Sequence, residues 1–276
     1  MKIDFYYINK NYLNQLRQAE IENRGFTCVP NTEYHSGRTK FFYGAVMEVN
    51  SIKYFVPVSS KAHYKQDDMI IKVKDKQKPI MGTLRFRYML PVPNDCIDLL
   101  IRDNLNDNAN KERIRKELAF CRKNKDLIEK KATQTYNRVI DKSNTGLTDN
   151  SCDFKLLEEV YKKHILNKQL LSDIIKLIKE KDLILDSNPS LKQIYKNAEE
   201  LYNSKNNYSG KLAIDDKLPI NEQLSQAYSI SHRISEIIKS NPTLKAEYIN
   251  ARDTYREKLK TNECIKSIPP AKKLKL

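Results

Sequence analysis

The chain has 276 residues, 39% hydrophobic and 31% charged, and its 50 Lys and Arg outnumber 35 Asp and Glu for a net charge of +15. That length suits one large domain or two smaller ones around a modest core. The six glycines (25, 37, 44, 82, 146 and 210) nowhere take the spacing of a P-loop or a dinucleotide fingerprint, which excludes nucleotide-cofactor chemistry of those kinds.

The first 95 residues predict a β-rich unit. Residues 9–18 come first, with Tyr12, Leu13 and Leu16 at helical spacing behind an asparagine start. A polar loop over residues 25–38 follows, too long for a simple connection. Residues 43–58 alternate and are β-branched around Asn50-Ser51, the pattern of a hairpin. Residues 70–73 and 82–90 predict further strands, the second closed by Pro91 and Pro93. From 109 to 140 the period turns helical, with Ile114, Leu118, Cys121, Ile128 and Val139 roughly on one face. After a turn-rich interval, 141–151, residues 154–165 predict an amphipathic helix with Asp153 as its N-cap. Strands followed by helices predict an α+β fold rather than α/β.

Beyond residue 166 the chain reads as all helix and repeats itself. Ser187-Asn188-Pro189-Ser190-Leu191-Lys192, followed by Tyr195 and Ala198, recurs as Ser240-Asn241-Pro242-Thr243-Leu244-Lys245, followed by Tyr248 and Ala251. Proline suits the first turn of a helix after an asparagine cap, so each copy predicts a helix–corner–helix hairpin. The linker between the copies, residues 203–218, is polar and holds Gly210. The expected organisation is a domain over 1–166, a helical extension over 167–268, and a basic tail over 269–276.

Charge and chemistry narrow the function. Residues 1–165 carry a net +9 and residues 166–276 a net +6, so the positive charge is spread along the chain. Such a protein is drawn to polyanions by counterion release, although a Lys/Asn/Ile-rich composition by itself inflates lysine. The five cysteines (28, 96, 121, 152 and 264) include no CxxC pair, and the four histidines (35, 63, 164 and 232) no i, i+4 pair. These counts predict reduced thiols, with no metal site and no cofactor. No apolar run nears the roughly 18 residues of a membrane span, and MKIDFYYINK lacks the apolar stretch of a secretory signal. The expected location is therefore cytoplasmic. Catalysis, if present, falls to ordinary side chains. The densest set is Ser59, Ser60 and Lys61 at the hairpin's far end, then His63 and Lys65, with Arg38, Thr39 and Lys40 just before the first hairpin strand. Ammonium groups and rotating hydroxyls suit the gripping and polarising of a phosphate; the bland alternative is a solvated strand end with serines as turn formers.

Six ordered blocks carry a resemblance. They are FYYINKNYLNQL near the N-terminus, KFFYGAVMEV from Lys40, KYFVPVSS from Lys53, RFRYMLPV from Arg85, ELAFCRKN from Glu117, and CDFKLLEEVY from Cys152. Together they resemble the ToxN/AbiQ family, the toxin endoribonucleases of type III toxin–antitoxin systems, in which the antitoxin is itself an RNA. The resemblance covers residues 1–165 and has no counterpart in the extension. It implies a Kid/MazF-like fold, a twisted antiparallel sheet with surrounding helices, to which the two helical hairpins are added. It also implies metal-independent, sequence-preferring cleavage of cellular or phage RNA, leaving 2′,3′-cyclic phosphate and 5′-hydroxyl ends, in the setting of phage abortive infection. The partner it implies is a repeat-derived, pseudoknotted RNA that inhibits the toxin and assembles with it into hetero-oligomers, with no membrane involved.

Carried residue by residue, the resemblance puts the first catalytic lysine on Lys40 and the hydroxyl pair on Ser59 and Ser60. The family commonly has a proline and then lysine after that pair. Here Lys61 follows directly and is the preferred match, with Lys65 the fallback. Tyr7 answers to the tyrosine of the opening block. Tyr7, Arg38, His63, Lys65, Arg85 and Arg87 form the candidate RNA-binding set, His63 being also a candidate general acid or base. Lys40 and Lys61 are expected to lower one another's pKa. Two other readings compete: a non-catalytic RNA-binding module, and a protein-interaction module centred on the helical extension.

Overall fold

The computed structural model describes residues 3–31, 40–62, 64–65, 67–73, 80–101, 108–142, 145–208 and 213–266. The chain divides into two compact units, Met1–Ile165 and Leu166–Leu276. The first holds the strands β1 (Asp4–Ile8), β2 (Phe42–Val49), β3 (Ile52–Ser59), β4 (Asp68–Lys72), β5 (Ile80–Arg85), β6 (Leu90–Pro91) and β7 (Ile97–Leu99). Its helices are α1 (Lys10–Arg24), α2 (Asn108–Lys123), α3 (Lys125–Ile140), α4 (Thr145–Asp149) and the opening part of α5 (Phe154–Asp186). The sheet runs β4-β5-β3-β2-β1-β7, with β6 also on β3, and its pairs are antiparallel. This is the α+β class that the strand and helix periods predict.

Local chemistry explains the main joints. Asn50 and Ser51 both take positive φ, 49° and 64°, the geometry of a tight hairpin turn whose twist matches the strands. Val49 accordingly pairs with Ile52 across β2 and β3. In β2 the backbone at Gly44 passes so close to Phe55 that any Cβ there would strike the ring. The register shifts between Gly44 and Met47. Helix α1 starts where Asn9 Oδ1 accepts from the N–H groups of Asn11 (2.9 Å) and Tyr12 (3.2 Å), and stops at Gly25, whose φ of 77° reverses the chain. Phe42, Tyr54, Phe55, Val56, Leu84, Phe86, Leu118, Ile128 and Phe154 belong to one continuous core.

Four expectations need correction. The strand predicted over 82–90 ends at Arg85: a 3-10 turn at Phe86–Tyr88 follows, then the short β6, in which Pro91 pairs with Tyr54. The helical stretch 109–140 is two helices, because Asn124 leaves helical geometry (φ −105°, ψ 23°) and its amide donates to the Phe120 carbonyl at 2.8 Å, closing α2. The helix capped by Asp153, whose Oδ1 accepts from the Leu156 N–H at 3.1 Å, does not stop at 165 but continues to Asp186. Two strands went unpredicted, β1 and β7, which pair with each other at one side of the sheet.

A buried carboxylate ties α1 to the loop behind it. Glu20 is fully buried, and its Oε2 accepts from the Thr27 hydroxyl (2.8 Å) and the N–H groups of Cys28 (2.6 Å) and Val29 (3.2 Å). Its Oε1 accepts from the Asp153 N–H (2.7 Å) at the entrance to α5 and from Arg24 (3.3 Å). A charge taken out of water is tolerable only with such a set of donors.

The second unit contains the remainder of α5 with α6 (Pro189–Lys205), α7 (Ile220–Ser240) and α8 (Pro242–Lys266). Both prolines sit at the first helical position after their corner. The two corners share one core, in which Ile184 and Leu191 of the first copy meet Ile237 and Leu244 of the second. The asparagines have diverged. Asn241 Oδ1 accepts from the Leu244 N–H (3.0 Å) and caps α8, whereas the Asn188 amide donates backward to the Ile184 carbonyl (2.9 Å). Gly210 and the basic tail, 269–276, lie outside the described residues. Among the described residues no helix is long and apolar enough to cross a membrane.

Glu20→Ala removes the common acceptor of four backbone and side-chain donors and the partner of Arg24. We expect it to destabilise the first unit by at least about 3 kcal/mol, measured by urea unfolding against the wild-type chain.

Candidate active site

Of the predicted residues, Lys40 and the Ser59-Ser60-Lys61 corner come together where β3 ends. Backbone pairing of β2 with β3 continues past the strand itself, the Val58 N–H donating to the Phe41 carbonyl at 3.1 Å, so Lys40 enters beside the last residues of β3. On its other edge β3 pairs with β5, Val58 with Leu84 and Ser59 with Thr83. Gly82 permits that approach: a Cβ there would lie 2.5 Å from the Ser59 carbonyl oxygen. The corner after β3 is tied by two bonds. Ser59 Oγ accepts from the Lys61 N–H (3.2 Å), and the Thr83 hydroxyl donates to the Lys61 carbonyl (2.9 Å). Ser60 and Lys61 are left exposed, while Ser59 and Lys40 are half-buried.

The electrostatics turn on Arg85, at the end of β5. Burial, and then the Arg85 guanidinium, hold the Lys40 ammonium below the usual lysine range. The cation acting on Lys40 is thus Arg85, where the sequence pointed to Lys61. Lys40 Nζ donates to the Asn31 carbonyl at 2.7 Å. Arg85 lies over the Tyr88 ring, 4.2 Å from its centroid, and 3.9 Å from Asp68 Oδ2. Asp68 is its partner across β4 and β5, and its carboxylate is buried without a hydrogen bond. Burial raises the Asp68 pKa against the opposing pull of Arg85 and Arg87.

The other candidates are placed differently. Tyr7 lies in β1, separated from β3 by β2 and half-buried against the core. Arg87 pairs with Asp67 at 2.8 Å, and Asp67 also pairs with Arg138, so this arginine joins the turn after β5 to α3. Lys65 is exposed, and its carbonyl accepts from the Asp68 N–H at 3.0 Å. Arg38 and His63 lie outside the described residues.

Sequence reasoning missed three contributors: Thr83, Asp68 and Glu117. Glu117 comes from α2, is fully buried, and would lie 3.6 Å from a Cβ at Gly82, directly under the strand end. Its Oε1 accepts from Arg113 Nη1 (3.2 Å) while Oε2 has no partner, and burial raises its pKa to about 7. No local motif marks any of the three, because they join the site only through strand pairing and helix packing.

A basic strand end with hydroxyls, on an antiparallel sheet backed by helices, has the chemistry to grip and polarise a phosphodiester. The profile of the family described as Toxin ToxN, type III toxin-antitoxin system, matches residues 4–162, and the chain belongs to that family. It is 28% identical over 166 residues to the endoribonuclease ToxN of Pectobacterium atrosepticum, a stretch spanning 57% of this chain and 91% of that relative. It is 25% identical over 170 residues to the endoribonuclease AbiQ of Lactococcus lactis subsp. lactis, with 57% and 87% covered. A solved structure from a bacterial antiviral system regulated by a processed non-coding RNA matches with a TM-score of 0.50 and 26% identity, over 58% of this chain and 98% of its own. A second, of a type III system whose toxin is selectively inhibited by a non-coding RNA pseudoknot, shares the fold with a TM-score of 0.50 and 22% identity, over 59% and 98%. The helical extension lies beyond the family match.

Glu117 binds its proton more tightly folded than unfolded, so stability falls as pH rises from the ordinary 4.5 through about 7. Glu117→Gln abolishes that dependence. Thermal and urea unfolding should show the wild type losing roughly 3 kcal/mol relative to the variant across this interval.

Proposed function

We propose that this toxin cuts RNA at the end of β3, with Lys40, Ser59, Ser60 and Lys61 as its reacting-site residues. The chain is an endoribonuclease of a type III toxin–antitoxin system, as its family and both relatives indicate. The observation that carries the finer reading is the convergence of Lys40 and Arg85 on the strand end that bears Ser59, Ser60 and Lys61. The ribose 2′-oxygen attacks the adjacent phosphorus as its proton is removed, and the bond from phosphorus to the 5′-oxygen breaks as that oxygen is protonated. The products are a 2′,3′-cyclic phosphate and a 5′-hydroxyl. Lys40 and Lys61 clamp the non-bridging oxygens and Ser60 donates to the charge that develops there, in the manner of a preorganised oxyanion site. Arg85 adds positive charge on the approach and keeps the Lys40 proton comparatively mobile. The cationic side chains themselves supply the charge that the transition state needs.

The same reading extends to regulation. A related toxin is inhibited by an RNA pseudoknot, and another belongs to an antiviral system controlled by a processed RNA. We assign this chain an equivalent partner, a pseudoknotted repeat RNA bound along its basic surface in a toxin–RNA assembly, and a role in halting phage infection. The net charge of +15 favours such a partner through counterion release.

Purified protein incubated with mixed RNA should generate new 5′-hydroxyl ends at a preferred sequence. Lys40→Ala and Ser60→Ala should each lower the single-turnover rate by at least about 10²-fold while leaving the circular dichroism spectrum and repeat-RNA binding intact. Full activity in both variants excludes the assignment. Because Arg85 holds the Lys40 pKa down, Arg85→Gln should move the alkaline loss of cleavage to higher pH; an unchanged profile separates Arg85 from Lys40.

A further inference from the structure

We propose that Asp95, Cys96 and His164 form a binding site for a zinc-class divalent cation beside the strand β7, separated from β3 by the two strands β2 and β1. The three residues come from distant parts of the chain. Asp95 and Cys96 occupy the 3-10 turn at Asn94–Cys96 that leads into β7, and His164 lies in α5. Cys96 and His164 are buried and Asp95 is exposed. The Cys96 Sγ, the His164 Nε2 and an Asp95 carboxylate oxygen all lie within 4.8 Å of one another.

The spacing is that of a coordination polyhedron. Tetrahedral zinc, with bonds of about 2.3 Å to sulfur and about 2.0 Å to nitrogen and oxygen, separates S from N by about 3.5 Å and N from O by about 3.3 Å. Cys96 Sγ is 3.4 Å from His164 Nε2, and that nitrogen is 3.3 Å from Asp95 Oδ2. Sulfur and carboxylate thus crowd one imidazole nitrogen, which as an acceptor can serve only the thiol and as a donor must split one proton between carboxylate and sulfur. His164 Nδ1 is buried without a partner, so the polar contacts of the ring pass through Nε2. Three donor atoms around one cation satisfy both contacts at once, with thiolate, neutral imidazole and carboxylate each presenting a lone pair.

The surroundings hold the trio in place without the cation. The Asn9 N–H donates to the Cys96 carbonyl at 2.8 Å. The Tyr12 ring meets His164 edge-on, centroids 5.1 Å apart, and its hydroxyl donates to the Pro91 carbonyl at 2.8 Å. Exposed Asp95 gives a cation its route in from solvent, and water completes the fourth position. Thiolate and imidazole select zinc, and cobalt as its spectroscopic substitute, over magnesium or calcium.

The test uses the full chain, stripped with chelator under a non-thiol reductant and titrated with Co²⁺. One equivalent should develop tetrahedral visible bands and a thiolate-to-cobalt charge-transfer band, and Zn²⁺ should displace both. Cys96→Ser should lose the charge-transfer band. Asp95→Asn, at an exposed position, should keep it and weaken binding by at least about tenfold. Zn²⁺ should raise the melting temperature of the wild type but not of Cys96→Ser, and leave RNA cleavage unchanged, a result independent of the catalytic assignment. The absence of a stoichiometric band in the wild type, or its persistence in Cys96→Ser, overturns the proposal.

Discussion

Everything at the candidate site depends on β3 being paired along both edges near its end. One edge carries β2 and the residues before it, ending in Lys40; the other carries β5, ending in Arg85. Because an antiparallel register is fixed to the residue, a one-residue slip would turn the polar end of either neighbour toward the core. The hairpin turn at Asn50-Ser51 sets the register on the first edge. On the second, Gly82 removes the side chain that would otherwise hold β5 away from the Ser59 carbonyl. Two lysines and an arginine that would repel one another in solution are thus gathered at one place by backbone pairing.

That gathering has an electrostatic counterweight in buried acids, and their roles differ. Asp67 is shared by Arg87 and Arg138 and fastens the turn after β5 to α3. Asp68 faces Arg85 from 3.9 Å with no hydrogen bond of its own, a weak tether that leaves the guanidinium oriented rather than neutralised. Glu158 accepts from the hydroxyls of Tyr54 (2.8 Å) and Tyr136 (2.6 Å), anchoring the start of α5 to the sheet. Glu117 is the least satisfied of them and lies beneath the strand end. The acids with the fullest sets of donors hold the framework, and those with the fewest lie nearest the basic site.

The sequence revealed what is local. The Asn50-Ser51 turn, the Asn9 and Asp153 caps and the duplicated Ser-Asn-Pro corners each announce themselves within a few residues, and each has the geometry its chemistry predicts except at Asn188, whose side chain does not cap α6. The neighbourhood of Lys40 and the Ser59-Ser60-Lys61 corner followed from hairpin pairing alone. Elements whose structure comes from distant partners stayed hidden. Strand β7 has three residues and is held by β1, some 90 positions earlier. Arg85 and Arg87 look alike in the RFRY segment, yet one borders Lys40 and the other is taken up by Asp67. Only the turn at Phe86–Tyr88 separates their surroundings, and nothing in the segment itself encodes it.

The histidine and cysteine counts show the same limit from the other side. Motif spacing tests only ligands carried on one helix or one turn, so scattered cysteines and unpaired histidines argue against metal motifs, not against metal sites. Cys96 and His164 are 68 residues apart and become neighbours because the turn before β7 and α5 both meet the start of α1, through Asn9 and Tyr12 respectively. The sheet order then separates the two chemistries. Ammonium, guanidinium and hydroxyl groups lie at the β3–β5 end, while the Cys96 thiol and the His164 imidazole lie beside β7, with β2 and β1 between. On the proposal above, a cation held by the second set would join α5 to the turn before β7, a link between elements distant in the chain.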